Sequence, residues 1–256
     1  MSESEASLKA ALSLLARLPG ATVHDAPDIS WLASGRPLAS LNHVHGIRLR
    51  GADDAIDARI DQAHASVTDG GTLPATWWIG PTTAPTDLGS RLATRGLTDA
   101  EPEFGMVVDV AGLPPPDGEI EEVGEALLDE WLSVMGRAYG WSDPRAIEAW
   151  KELYRGAFDD REPPWWHVLV RDHGTPVACA SLFPAGDLGF VTNVGTVPEA
   201  RGAGFGTAAT LAVLAIARRQ RFERASLTAS LMGRSVYARI GFREDARLER
   251  FVSAGT

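Results

Sequence analysis

The sequence predicts a mixed α/β fold, an α+β mixed sheet flanked by helices, laid out in two units. Three observations support it. Apolar residues recur at strand and helix periods in turn along the chain, and the alternation of strand and helix is most complete in the second half. The 256 residues, 45% of them hydrophobic, suit one large domain or two of roughly 120 residues each. Between Gly112 and Gly118, Leu113 is followed by Pro114, Pro115 and Pro116, a run that enters neither helix nor sheet interior. The expected division is therefore 1–112, a Pro-rich linker at 113–118, and 119–256.

In the first unit, Leu8, Ala11, Leu12, Leu15 and Leu18 recur at helical spacing and predict an amphipathic helix ended by Pro19 and Gly20. A strand or hairpin follows across Ile29 to Arg50, turning at Gly35, Arg36 and Pro37. Asp53 and Asp54 favour the start of a helix running to Ser66, because acids suit the positive end of a helix dipole. A strand at Thr76 to Ile79, a helix from Asp87 to Arg95 with Gly96 beyond its end, and a strand at Phe104 to Val110 complete a small α/β unit.

The second unit begins with a short strand near Glu119 to Val123, helices around Ala126 to Arg137 and Pro144 to Phe158, and a strand at Trp166 to Arg171. Asp172, His173 and Gly174 turn the chain into a partner strand at Pro176 to Phe183. Asp187 to Val197 is a strand, Ala203 to Arg219 a helix and Arg224 to Ser230 a strand, together a right-handed crossover. Tyr237 lies on a short helix broken by Gly241, and Ala246 to Val252 is the closing strand.

Composition narrows the function. Residues 1–118 carry 8 basic and 15 acidic groups, a balance of −7, and 119–256 carry 16 and 19, a balance of −3, for a formal charge of −10. Such a chain is a poor partner for nucleic acid, whose binding rests on Lys and Arg neutralising phosphates, and it attracts cationic or amine substrates. Cys179 is the single cysteine; it has no partner for a disulfide or a thiolate cluster and reads as a small core residue in a reducing compartment. Glu3 and Glu5 stand where a secretory signal needs positive charge, and no apolar run approaches the roughly 18 residues of a membrane span. The expectation is a cytoplasmic protein with no membrane partner. His43 and His45 alternate onto one face of a presumed strand without a third ligand nearby, so no metal is expected. Arg218, Arg219, Arg221 and Arg224 fall at a helix end, where positive charge complements the dipole.

The chemistry concentrates in Val194 to Thr207, a strand running through a glycine-rich loop into an apolar helix. Without side chains at Gly202, Gly204 and Gly206, successive N–H groups can converge on an anion at the positive end of the following helix, forming a diphosphate cradle. The loop sits late in the chain after a hairpin, unlike a dinucleotide-binding turn, and no Lys follows the glycines as a Walker loop requires. Its order and its preceding Val-Pro resemble the GNAT superfamily of N-acetyltransferases, whose pattern is Arg or Gln, two residues, Gly, one residue, then Gly or Ala. Arg201, Gly204 and Gly206 match that pattern. Downstream, Tyr237 followed by Gly241 and Phe242 is similar to the family's closing signature. Together the two motifs cover about 119–256.

The resemblance implies an acetyl-coenzyme A-dependent acetyl transfer to a primary amine of a small molecule or peptide, with acetyl-coenzyme A as co-substrate. It implies that Val194, Gly195 and Thr196 lie on a splayed strand whose backbone pairs with the pantetheine arm. It implies that Arg201, Gly202, Ala203, Gly204, Phe205, Gly206 and Thr207 hold the pyrophosphate. Tyr237 would act as general acid toward the departing thiolate. Ser230 has two readings, a bond to the cofactor arm or a strand-end Ser satisfying local backbone. Many relatives place a Glu on the strand before the loop, whereas Gly189 to Val194 contains none, so the general base stays unassigned among Asn193, Asp187, Glu148 and His167. Trp131, Trp141, Trp150, Trp165 and Trp166 crowd the region of the acceptor pocket, where core anchoring and substrate walls are both open.

The first unit lacks an Arg-x-x-Gly-x-Gly of its own. Its Trp77 to Pro81 and Asp87 to Leu97 segments resemble the degenerate partner domain of tandem GNAT proteins; an independent α/β domain is the alternative. For the whole chain the rival reading is an acetyl-coenzyme A-binding sensor or scaffold without catalysis. Acyl-chain preference and oligomeric state leave no mark in the sequence.

Overall fold

The computed structural model describes residues 2–141, 143–155 and 165–254. Ser2 accepts the Glu5 N–H while the Glu5 carboxylate accepts the Ser2 N–H, a capping box that starts helix α1 (Glu3–Ser13). One tighter turn, Leu14–Arg17, extends it, and Leu8, Leu12, Leu15 and Leu18 are buried at the expected spacing. Strand β1 (Thr22–Asp25) pairs with β2 (Ser30–Ala33), and β2 pairs antiparallel with β3 (His43–His45), the expected hairpin. The sequence reading missed β1, whose residues are mostly exposed and lack an apolar alternation. Helix α2 (Asp53–Val67), β4 (Ala75–Ile79), α3 (Leu88–Thr94) and β5 (Thr98–Asp109) follow, β5 starting six residues before the expected Phe104.

Beyond β6 (Glu119–Glu122), helix α4 (Leu128–Tyr139) buries Leu128, Trp131, Leu132 and Met135 along one stripe and stops at Gly140 in the left-handed conformation. Helix α5 (Pro144–Arg155) comes next; the last residues expected for it, 156–158, lie outside the described residues. Strands β7 (Trp166–Asp172) and β8 (Thr175–Ala185) form a hairpin whose two turn residues, His173 and Gly174, both have positive φ, 48° and 78°. Strand β9 (Leu188–Thr196), helix α6 (Phe205–Arg219) and β10 (Arg224–Ala229) make the crossover, with β9 and β10 parallel. Helix α7 (Leu231–Ile240) and β11 (Arg243–Ser253) end the order.

These elements divide into two units, 1–105 with 245–256, and 106–244. In the first, the strand order is β1-β2-β3-β4-β11, followed by the first part of β5, and the core gathers Trp77, Ile60, Leu88, Leu92 and Phe251. In the second, the last residues of β5 precede β10-β9-β8-β7-β6, with Trp131 wholly buried. The units therefore part at Gly105 and Glu244 and not at the prolines, which lie within the second. The closing strand read as part of 119–256 joins the first unit from Asp245 onward: Glu249–Ser253 pair with Ala75–Ile79, and Phe251 enters that unit's core. Among the described residues, no helix is long and apolar enough to cross a membrane.

Candidate active site

The site is built on the strand that changes partners. Strand β9 pairs with β8 along its whole length, from Leu188 to Thr196, but pairs with β10 only at Leu188–Phe190. Beyond Phe190 the two parallel strands part, and the β9 backbone from Val191 to Thr196 has an edge without a ladder partner among the described residues. The Val197 N–H bonds to Val177 O at 2.9 Å, toward β8, so by alternation the Thr196 and Val194 peptide groups face the open edge. Helix α4 packs against one face of this strand. A Cβ added at Gly195 would stand 2.7 Å from the Ala138 Cβ of α4, so only glycine admits the helix there.

Between Cys179 and Ser181 the β8–β9 register slips, leaving one extra residue on β9. The extra residue is taken up at Asn193, a non-glycine residue with φ of 53°. The Asn193 Nδ2 donates to the Tyr154 hydroxyl at 2.5 Å and to Ser181 Oγ at 3.2 Å, and Ser181 Oγ lies 2.8 Å from His167 Nδ1. Burial pushes the His167 imidazole down to about 3, keeping it neutral, and raises the Tyr154 phenol above its ordinary range. The Cys179 thiol donates to Asn193 O at 3.3 Å; burial pushes it up to about 12, partly offset by the Gly195 N–H. Cys179 is thus an inert thiol holding the strand.

Past Thr196 the chain enters the glycine loop. Gly202 and Gly204 have φ of 84° and 91°, conformations that any side chain would strain, and Gly204 precedes α6 directly. Among the described residues, the N–H groups from Gly202 to Thr207 donate to no protein acceptor; the first bond of the helix is Ala208 N–H to Gly204 O. These donors collect at the positive end of a 15-residue helix. A Cβ at Gly206 would come within 3.2 Å of Thr196 Oγ1 and narrow the cradle. Ala203 and Phe205 contribute backbone to this loop, and Arg201 does not point into it: its guanidinium bonds to Thr196 O and Ala138 O at 3.2 and 2.9 Å, tying strand and helix beneath the loop.

Across the opening, Ser230 caps α7 by accepting the Gly233 N–H at 3.2 Å, the local role open in the sequence. The Tyr237 to Phe242 signature has a structural reason of its own. Gly241, with φ of 116°, follows the helix; its N–H bonds Ala238 O and the Phe242 N–H bonds Tyr237 O, while the Phe242 ring meets the Tyr237 ring edge-on at 5.8 Å. This C-terminal motif sets the direction of the Tyr237 side chain, which is half-buried over Gly233.

The remaining candidates separate clearly. Asp187 precedes the closed end of β9, about 20 Å along the strand from Asn193. Glu148 is exposed and faces Arg155. Asn193 and His167 are brought together, His167 beneath the bulge. Trp131 and Trp165 are core anchors, whereas Trp141 and Trp150 are half-buried and stack at 5.7 Å between Tyr139 and Tyr154. The Tyr139 hydroxyl donates to Val194 O at 3.3 Å. Tyr139, Tyr154 and Ser181 were missed in the sequence, where no motif or spacing singles them out. His43 and His45 are both buried in the first unit, His43 bonded to Trp78 Nε1 at 3.1 Å, and no group of three metal-ligating side chains occurs among the described residues.

Residues 123–242 match the family model described as the acetyltransferase (GNAT) family. No curated protein matches the chain. Among solved structures, a GCN5-related N-acetyltransferase from Kribbella flavida is similar at TM-score 0.70 and 18% identity, over 98% of this chain and 96% of that one. A GCN5-related N-acetyltransferase from Sphaerobacter thermophilus follows at 0.65 and 14%, over 94% and 84%. A tandem GNAT protein from the clavulanic acid biosynthesis pathway gives 0.60 and 12%, over 98% and 95%. At such identities the likeness is one of fold, and it extends over nearly the whole chain.

Proposed function

Residues 123–242 carry a GNAT-family acetyltransferase domain, and from that premise we propose that the protein transfers an acetyl group from acetyl-coenzyme A to a primary amine of a small molecule or peptide. The observation behind this reading is the row of N–H groups from Gly202 to Thr207 that meet no protein acceptor among the described residues, set beside a strand edge released from β10. The donor row suits a diphosphate, and the open edge suits an extended amide-bearing arm.

Acetyl-coenzyme A supplies the activated acyl group. Loop N–H groups and the α6 N-terminus hold its phosphates, while the Val194 and Thr196 N–H groups orient the arm. A backbone N–H of the open edge stabilises negative charge developing on the thioester oxygen. Tyr237 gives its proton to the departing thiolate. The surplus of acidic groups, −10 over the chain, favours a cationic acceptor. Strand β9 carries no carboxylate, the observation that keeps a non-catalytic cofactor sensor as the second reading.

Calorimetric titration with acetyl-coenzyme A tests the premise: the wild type binds, and Gly206→Leu weakens binding roughly 100-fold, about 2.8 kcal/mol. A folded wild type that does not bind sinks the reading. Thiol release on an amine panel then separates enzyme from sensor. Tyr237→Phe should lower turnover by roughly 100-fold with affinity within about twofold; absence of turnover by wild type with any amine favours the sensor.

A further inference from the structure

We propose that Asn193 is a positioning residue whose side chain locks the β9 bulge and so fixes the Val194 peptide group that faces the open edge. A left-handed φ at a non-glycine residue is unfavourable unless its surroundings determine it, and Asn193 is determined from both sides. Its amide donates to Tyr154 and Ser181, and its carbonyl accepts the Cys179 thiol. The partners are themselves buried: Tyr154 and Ser181 are 3% and 1% exposed, and His167, 1% exposed, holds the Ser181 hydroxyl from behind.

The lock also reaches the helices. Tyr154 on α5 begins a run of stacked rings through Trp150 and Trp141 to Tyr139, with interplanar angles of 17°, 7° and 27°. The far end of that run returns to the strand, where the Tyr139 hydroxyl meets Val194 O. Consecutive residues of β9, Asn193 and Val194, are therefore held by the two ends of one aromatic ladder. A bulge so fixed holds the Val194 N–H and C=O in a set direction, as a backbone group aimed at developing charge requires. Neither the glycine loop nor Tyr237 takes part in this lock.

Its effect on turnover rests on the acetyl-transfer reading; its effect on the strand does not, and the test uses both readouts. Asn193→Gly keeps the left-handed backbone and removes the side chain, and Tyr154→Phe removes only the hydroxyl. Amide exchange followed by NMR on the ligand-free protein should quicken roughly tenfold at Gly195, beside the bulge, in both variants. Asn193→Asp, whose carboxylate accepts from both hydroxyls, should restore slow exchange. In turnover assays both lock-breaking variants should lose roughly tenfold in kcat while the acetyl-coenzyme A affinity stays within about twofold. Unchanged exchange at Gly195 overturns the lock, and so does a kcat loss matched by an equal loss of cofactor affinity. Quickened exchange in a protein that acetylates no amine leaves the lock standing and removes the acetyl-transfer reading.

Discussion

The two units contain the same local piece, a strand leading through a loop into a helix, and they treat its backbone donors in opposite ways. In the first unit, β4 leads to α3 through a loop with Pro81 and Pro85, which have no N–H to offer. From Gly80 to Ala84 its other donors are satisfied by protein. Gly80 N–H bonds Thr83 Oγ1, Thr83 N–H bonds Gly80 O, Ala84 N–H bonds Ile47 O, and the Glu5 carboxylate accepts from Thr82. In the second unit, β9 leads to α6 through Gly202 and Gly204, with Gly206 in the helix's first turn, and among the described residues the donors of these three glycines meet no protein acceptor. The helices differ likewise, seven residues against fifteen. A loop whose donors are bonded within the protein has few to offer a ligand; a loop whose donors are not suits the anion of the proposed function. The difference lies in the partners of the N–H groups and not in the fold.

Acid should separate the units most strongly. Burial pushes His43 and His45 of the first unit down to about 4, and His167 of the second to about 3. A folded-state pKa below the unfolded 6.5 means that the unfolded chain binds more protons, so stability falls as pH drops from 6.5 toward 4. At pH 5 each buried histidine costs about 2 kcal/mol. The first unit, with two, should show amide exchange at β3 and β4 accelerating ahead of β7 and β8; the reverse order would break the comparison. Next in size is Gly195→Ala, whose Cβ meets α4. It should cost about 1–3 kcal/mol in denaturant melts followed at second-unit amides and leave β4 exchange unchanged. The smallest effect belongs to Ser230→Ala, about 1 kcal/mol from loss of the α7 cap. If acetyl-coenzyme A affinity falls more than stability does, Ser230 also bonds the cofactor arm.

The contrast explains what the sequence could and could not disclose. Glycines at 202, 204 and 206 mark a backbone conformation that other residues avoid, so the loop and the strand and helix around it were legible. The Tyr237 to Phe242 run was legible for the same reason, since Gly241 terminates a helix. The bulge was not: Asn193 tolerates a left-handed φ but is equally at home in any turn, and nothing local announces that Tyr154 and Ser181 will reach it. Nor was the destination of β11 legible, because an alternating strand states which face it buries and not which neighbour it pairs with. The role of Tyr154 was hidden by the amphipathic pattern of α5, in which a buried aromatic residue is first of all core, and Tyr139 lies past Arg137, where the sequence predicts the preceding helix to end.

The path of β11 bears on the order in which the protein is made. The first unit includes residues 245–253, and the edge of β4 from Ala75 to Ile79 is paired by them. During synthesis those residues leave the ribosome only after the whole second unit. Until then β4 presents its unpaired edge, with the apolar residues Trp77, Trp78 and Ile79, to any strand that meets it. The unit whose synthesis begins first is therefore the last to close, and the second unit, complete at Glu244, can fold while its neighbour still waits.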